Sequence, residues 1–304
     1  MRNLLPRERT HFAILSPAIR VQVGRVETQA ARQVALVTGA SSGIGEAIVR
    51  RLVRNGWCVA MAARRDDRLT ALAREIDPGG EHTLPVSGDV TTPADRARWV
   101  NATLERWSRI DALVNNAGYG RRGPIELVAV DDIRRNFETN VFALIALTQQ
   151  VIPIMRAQGR GRIINVGSVA GRIARPFSSV YDATKHALNA ISDGLRGELA
   201  PFNIRVVVIQ PGFIRTEFIA AADRASEAFR ADQGAYAERW RRIETKLDRL
   251  RHWAAPPGVI AKLVERALTV RRPRSRYSGP MHAHALLVLR WLLPDRLFDA
   301  LLRE

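Results

Sequence analysis

From Val34 onward the chain repeats one pattern: short runs that are almost wholly apolar alternate with longer amphipathic stretches. This leaves few folds open, because a strand that is apolar on both sides must be covered on both sides, as in a parallel sheet with helical crossovers. Strands are predicted at 33–38, 57–62, 83–87, 111–115, 161–167, 204–210 and 275–279, and helices at 43–55, 66–76, 92–108, 131–158 and 179–200. Runs such as Arg162-Ile163-Ile164-Asn165-Val166 and Arg205-Val206-Val207-Val208-Ile209 have the composition of strands buried on both faces. The predicted class is α/β: a Rossmann-like doubly wound parallel sheet of about seven strands with helices on both faces. A length of 304 residues is ample for such a core without staples.

The alternation stops after Pro211-Gly212, and residues 216–250 read as a polar, Arg- and Ala-rich helical stretch. An insertion there lies beside the carboxyl ends of the strands, so 213–253 is expected to form a substrate lid on a catalytic domain spanning 33–280. Residues 1–32 read as an extension outside that domain. Their apolar stretches, such as Phe12 to Leu15, are too short for a signal peptide or a membrane span, which makes the cytoplasm the expected compartment. The tail 281–304 is amphipathic over Ala285 to Leu302, is broken at Pro294, and carries Arg290, Arg296 and Arg303. It is expected to pack on its own domain, with a partner subunit or a peripheral membrane contact left open.

A formal charge of +17 raises nucleic acid as a partner, yet the excess is spread along the chain and is nearly all arginine, the only lysines being Lys185, Lys246 and Lys262. The most basic segment, Arg271-Arg272-Pro273-Arg274-Ser275-Arg276, lacks interleaved aromatics, which argues against nucleic acid. In a chain that uses arginine almost everywhere, a lysine marks a position needing a compact, deprotonatable ammonium. The lone Cys58 has no partner for an internal disulfide and lies in an apolar strand, as a packing residue would. His282 and His284 are two apart, off a common helical face, and no metal is expected.

Thr38-Gly39-Ala40-Ser41-Ser42-Gly43-Ile44-Gly45 follows the first strand and opens the first helix. Glycines in that position let the backbone approach a pyrophosphate seated on free N–H groups at the helix N-terminus. Arg64 closes the second strand, where a cation would read a ribose 2′-phosphate, so NADP(H) is favoured; Asp66 and Asp67 leave NAD(H) open.

With these landmarks the chain resembles the short-chain dehydrogenase/reductase family. The resemblance rests on T-G-x-x-x-G-x-G at Thr38–Gly45, Asp89-Val90, Asn115-Asn116-Ala117-Gly118, Asn140, Ser168, Tyr181-x-x-x-Lys185, and Pro211-Gly212 with Thr216, in the family's order over about residues 33–270. It implies hydride transfer between a nicotinamide and a carbonyl or secondary alcohol, and a homodimer or homotetramer using the helices at 131–158 and 179–200. It places the cofactor against Gly39, Ser41, Ser42, Gly43, Ile44, Gly45, Arg64, Asp89, Val90, Asn116, Ala117, Gly118, Lys185, Pro211, Gly212 and Thr216. The substrate oxygen is implied on Ser168, a water relay at Asn140, and the substrate near Tyr119, Arg121, Val169, Phe213, Phe218 and Ile219. The tail, with Arg276-Tyr277 and Leu293-Pro294, is similar to members acting on steroid- or retinoid-like compounds, and implies an apolar substrate.

Physically, Tyr181 and Lys185 are four apart on a predicted helix and project from one face. An ammonium beside a phenol favours the phenolate, and a lowering on the order of 2–3 units would make Tyr181 an acid/base near neutrality. The alternative, a non-catalytic nucleotide-binding regulatory protein, predicts damage at Ser168, Tyr181 or Lys185, and all three are present.

Overall fold

The computed structural model describes residues 32–225, 234–251 and 253–303. The order of residues 1–31 and the middle of the expected lid therefore lie outside the described residues. Seven strands, β1 Val34–Thr38, β2 Cys58–Ala63, β3 Thr83–Ser87, β4 Ala112–Asn115, β5 Gly161–Val166, β6 Ile204–Pro211 and β7 Arg276–Gly279, form one sheet in the order β3-β2-β1-β4-β5-β6-β7. Every pairing is parallel. The helices are α1 Gly43–Arg54, α2 Asp66–Ile76, α3 Pro93–Trp107, α4 Val130–Phe137, α5 Ala143–Ala157, α6 Ser179–Leu199, α7 Phe218–Ala225, α8 Ala237–Arg251, α9 Gly258–Thr269, α10 Met281–Leu292 and α11 Asp295–Arg303.

Alternation of side chains along each strand builds two cores. Ala35, Val37, Val59 and Val207 face α1 and α9 through Ile48, Leu52, Ile260 and Val264. Leu36, Leu113, Ile163 and Val206 face α3 and α5 through Trp99, Leu147 and Val151. The chain order reverses between β1 and β4, which opens a crevice at the carboxyl ends of those strands, where ligands of doubly wound sheets bind. A buried polar relay crosses the second core: the Asn115 amide donates to Thr148 Oγ1 (3.1 Å) and Asn165 Oδ1 (2.9 Å), and the Asn165 amide donates to Ser192 Oγ (2.9 Å). Because every donated bond finds an acceptor, the relay fixes β4, β5, α5 and α6 at the low cost that satisfied polar groups allow.

Two expectations need correction. The helix predicted as continuous over 131–158 is interrupted by a π turn at Glu138–Phe142, the local helix distortion that the family resemblance implies at Asn140, whose amide bonds the backbone of the β4 loop. A helix that the sequence reading lacked, α9, completes the crossover to β7. It is locked to α1 by Glu265, which accepts from Arg51 and Asn55. The tail is helical from Met281, as expected for 281–304, and lies against the sheet with Ala283 fully buried. The break at Leu293-Pro294 separates α10 from α11.

Candidate active site

The glycine turn is shaped by close approach. A Cβ on Gly45 would fall 2.1 Å from the Gly39 carbonyl oxygen and 2.7 Å from Asn116 Nδ2, while Gly39 and Gly43 adopt φ of +65° and +57°. No side chain fits at the first, and the other two need the left-handed backbone that glycine adopts freely. The turn is held from β4: Asn116 Nδ2 donates to the carbonyls of Thr38 (2.9 Å) and Gly39 (3.2 Å), and the amides of Asn116 and Ala117 both donate to Thr38 Oγ1 at 3.0 Å. Ser42, the N-cap of α1, makes no side-chain bond to the first turn, so that helix end presents its N–H groups to a ligand. This cradle fits a dinucleotide pyrophosphate.

Of the two adjacent arginines after β2, the one expected to read the cofactor does not touch the glycine turn. Arg64 points outward, its side chain 79% exposed, with a guanidinium nitrogen 3.9 Å from Asp89. Arg65 instead folds back onto the turn: Nη2 donates to Ser42 Oγ (2.6 Å) and Ser41 Oγ (3.2 Å), and Nε to Ser41 Oγ (3.3 Å). Both residues follow β2 directly, and only the second reaches the turn. Asp89 also accepts from the Thr91 hydroxyl and amide, and Val90 is buried in the core. At the other rim Thr216 lies against Gly43, its methyl 3.0 Å from where a Cβ would stand.

The second half of the site is carried by α6. Tyr181 is partly exposed beside Ser168, with which it shares a hydrogen bond. Lys185 is 5% exposed, donates to the Val166 carbonyl at the end of β5 (3.0 Å), and has its Nζ 5.8 Å from the Tyr181 ring centre. Asn140, 1% exposed, accepts from the Tyr119 amide (3.0 Å) and donates to the Tyr119 carbonyl (2.9 Å) and Thr184 Oγ1 (3.1 Å). A Cβ on Gly118 would fall 2.8 Å from Asn140 Oδ1 and 3.9 Å from Lys185 Nζ, so Gly118 leaves the space between these two polar groups open.

Electrostatics runs opposite to the sequence expectation. Burial pushes Tyr181 up to about 12, against the opposing pull of Arg175 and the Ser168 hydrogen bond, and burial alone pushes Lys185 down to about 8. Desolvation disfavours both charged forms, and at this separation the ammonium does not offset it. Lys185 therefore sits much nearer neutrality than an exposed lysine, while the phenol is held in its protonated form.

The expected substrate residues divide. Phe218 lies on Tyr181, ring centres 5.5 Å apart, and Val169 is buried beside Ser168. Tyr119 is half-buried, which pushes its phenol up. Phe213 faces His282, with ring centres 5.9 Å apart, and its amide donates to His282 Nε2 (3.0 Å). Burial lowers the His282 pKa and keeps that nitrogen an acceptor, so His282 fixes the segment after Pro211-Gly212. Gly212 is needed beneath it, since a Cβ would fall 2.7 Å from the ring. Arg121 is buried and paired with Asp132 (2.5 Å). Nothing in the sequence marked His282 for this role, because its partner is a backbone amide 69 residues away.

The segment expected to form the lid is docked by aromatics. Trp240 of α8 is 1% exposed and meets Phe177 edge-on (5.6 Å), with the Arg122 guanidinium 4.8 Å above its ring; Tyr236 meets Phe177 from another side (5.9 Å). Among the described residues, no group of three His, Cys, Asp or Glu side chains gathers as a metal site would.

Comparison with known proteins agrees with this arrangement. Residues 33–227 match the family model described as short chain dehydrogenase. The chain is similar to oxidoreductase BOA17 of Botryotinia fuckeliana, with 34% identity over 79% of this chain and 86% of the relative. It is also similar to an NADPH-dependent 3-dehydrocapnine reductase of Ornithobacterium rhinotracheale, with 30% identity over 87% and 94%. A crystal structure of a short-chain dehydrogenase from Streptomyces avermitilis superposes with a TM-score of 0.73 at 29% identity, covering 90% of this chain and 96% of that one. Glycine cradle, Ser–Tyr–Lys grouping, sheet order and family match agree, and the chain belongs to the short-chain dehydrogenase/reductase family of NAD(P)-dependent oxidoreductases.

Proposed function

We propose that the protein is an NADP(H)-preferring oxidoreductase acting on an apolar ketone or secondary alcohol. The observation that carries the cofactor preference is the seating of Arg65 on Ser41 and Ser42, with Arg68 beside it, where β2 meets the glycine turn. Guanidinium forks pair with phosphate in a fixed geometry, and this cluster stands where a ribose 2′-phosphate would be read. The similar 3-dehydrocapnine reductase is NADPH-dependent, which supports the same reading. Apolar character of the substrate is supported by Phe218 over Tyr181 and by Val169 beside Ser168.

The bound nicotinamide supplies the hydride donor or acceptor; the rest of the chemistry belongs to side chains. Ser168, already bonded to the phenol, holds the substrate oxygen, and Tyr181 gives that oxygen a proton in reduction or takes it in oxidation. A phenol held near 12 is the competent donor for reduction at neutral pH. The Lys185 ammonium stabilises the phenolate left behind, and Asn140 fixes the Tyr119 backbone and Thr184 around Lys185.

The test follows oxidation of NADPH and NADH against apolar ketones, aldehydes and quinones. NADPH turnover is expected to exceed NADH turnover, to vanish in Tyr181→Phe, and to lose its NADPH preference in Arg65→Ala. Equal use of the two nucleotides by the native enzyme would refute the preference. Failure of Tyr181→Phe to reduce the rate would refute the proton-transfer assignment.

A further inference from the structure

The cluster of arginines at the end of β2 is already holding an anion, and that anion is part of the protein. Glu217, the last residue before α7, places one carboxylate oxygen 2.7 Å from Arg65 Nη1 and the other 2.7 Å from Arg68 Nη1. The same Arg65 guanidinium donates to Ser41 and Ser42 on the glycine turn. Two guanidiniums and two hydroxyls thus converge at one place, and the anion held by both guanidiniums comes from the segment that enters the lid. The side chains are accessible, with Glu217 51%, Arg65 39% and Arg68 45% exposed. An incoming nucleotide can therefore reach the seat without unfolding anything.

Carboxylate and phosphate pair with guanidinium in the same bidentate manner, so the two compete for one seat. A phosphate brought in beside an ionised Glu217 is also repelled by it, and the paired arginines hold Glu217 ionised down to about 2. A ribose 2′-hydroxyl makes no such demand and can donate to the carboxylate.

We infer that Glu217 is a specificity-determining residue: its carboxylate occupies the seat of the cofactor's 2′-phosphate on Arg65 and Arg68, so a phosphate-bearing nucleotide must displace it while an unphosphorylated one need not. This rests on the NADP(H) reading above. It adds that the selectivity of the native chain is lower than its arginines alone would give, and that the start of the lid takes part in reading the ribose.

The test is titration calorimetry of the full chain and of Glu217→Gln with two probes, adenosine 2′,5′-bisphosphate and adenosine 5′-monophosphate. Loss of an exposed ion pair competing for the seat is expected to tighten the bisphosphate about fivefold and to leave the monophosphate unchanged. The gain is expected to shrink in high salt, where exposed charges are screened. If the native chain favours the bisphosphate and Glu217→Gln adds nothing, or if both probes gain by one factor, the Glu217 assignment falls and the NADP(H) reading stands. If the native chain and the variant both bind the two probes equally, the NADP(H) reading itself falls and takes this inference with it.

Discussion

Lys185 shows how a single residue serves chemistry at the expense of stability. Its ammonium is buried and donates to the Val166 carbonyl, and burial pushes its pKa down to about 8. A lysine whose pKa falls on folding binds its proton less readily in the folded chain. The folded state is therefore penalised while Lys185 is cationic, below about pH 8, and the penalty is relieved as pH rises from there toward the ordinary lysine value. Lys185→Met is expected to abolish turnover and to raise the unfolding free energy at pH 7 by about 1–3 kcal/mol. Urea titrations at pH 7 and pH 10 check this, since the gain should shrink at the higher pH; an equal gain at both would show that burial of charge is not its cause. The scarcity of lysine had marked Lys185 as a functional position, but the direction of the Tyr181 shift was not legible. A tyrosine and a lysine four apart predict attraction, whereas the observed shift depends on how much water the fold removes from each group.

At the scale of elements, the π turn and the lid show what periodicity conveys and what it leaves out. A single apolar pattern runs through 131–158, and its periodicity does not require a break; only the family resemblance implied one at Asn140, which finds partners on another loop. α9 has Val259, Ile260, Leu263, Val264, Ala267 and Leu268 at helical spacing after Pro256-Pro257, but the irregular insertion before it masks the strand–helix alternation to which it belongs. The lid is fastened by the aromatic cluster around Trp240, which is separate from the two sheet cores. Trp240→Ala is expected to release α8 at a local cost of about 3 kcal/mol, with little effect on the melting of the sheet. A lysine-specific protease reads this cleanly, because Lys246 lies in α8 and the chain has only two other lysines. Faster cleavage at Lys246 with an unchanged melting temperature is the expected pair of results; unchanged cleavage would show that the cluster does not fasten the lid.

At the scale of the molecule, the tail belongs to the site. His282 bonds the Phe213 amide, Ala283 packs over Gly212, and Phe298 of α11 is 2% exposed. A chain ending at Pro280 keeps all seven strands and is expected to unfold cooperatively, at a temperature about 5–10 °C lower. It is also expected to bind NADP(H) more weakly, because the Phe213 amide loses its acceptor. Calorimetric melting and nucleotide titration test this; native nucleotide affinity in the truncated chain would remove His282 from the site. The outward face of α10 carries Met281, Val288, Trp291 and Leu292, all more than half exposed. The +17 charge remains a property of the whole surface, since many of the arginines are spent on local ion pairs with Asp and Glu.

The sequence by itself determined the parallel sheet, its strand positions to within a residue or two, the glycine turn and the Tyr181–Lys185 pair, whereas Ser168 was singled out only by the family resemblance. Apart from Ser168, each of these is written in local patterns: apolar runs, glycine where the backbone must approach, and spacing along one helix. Tertiary structure decided which of two adjacent arginines turns to the cofactor cradle, that Glu217 sits on it, that His282 supports Phe213, and which way the tyrosine and lysine shift. Those outcomes depend on residues brought together across 23 to 152 positions of chain and on the water excluded when they meet. No pattern within one segment encodes either quantity.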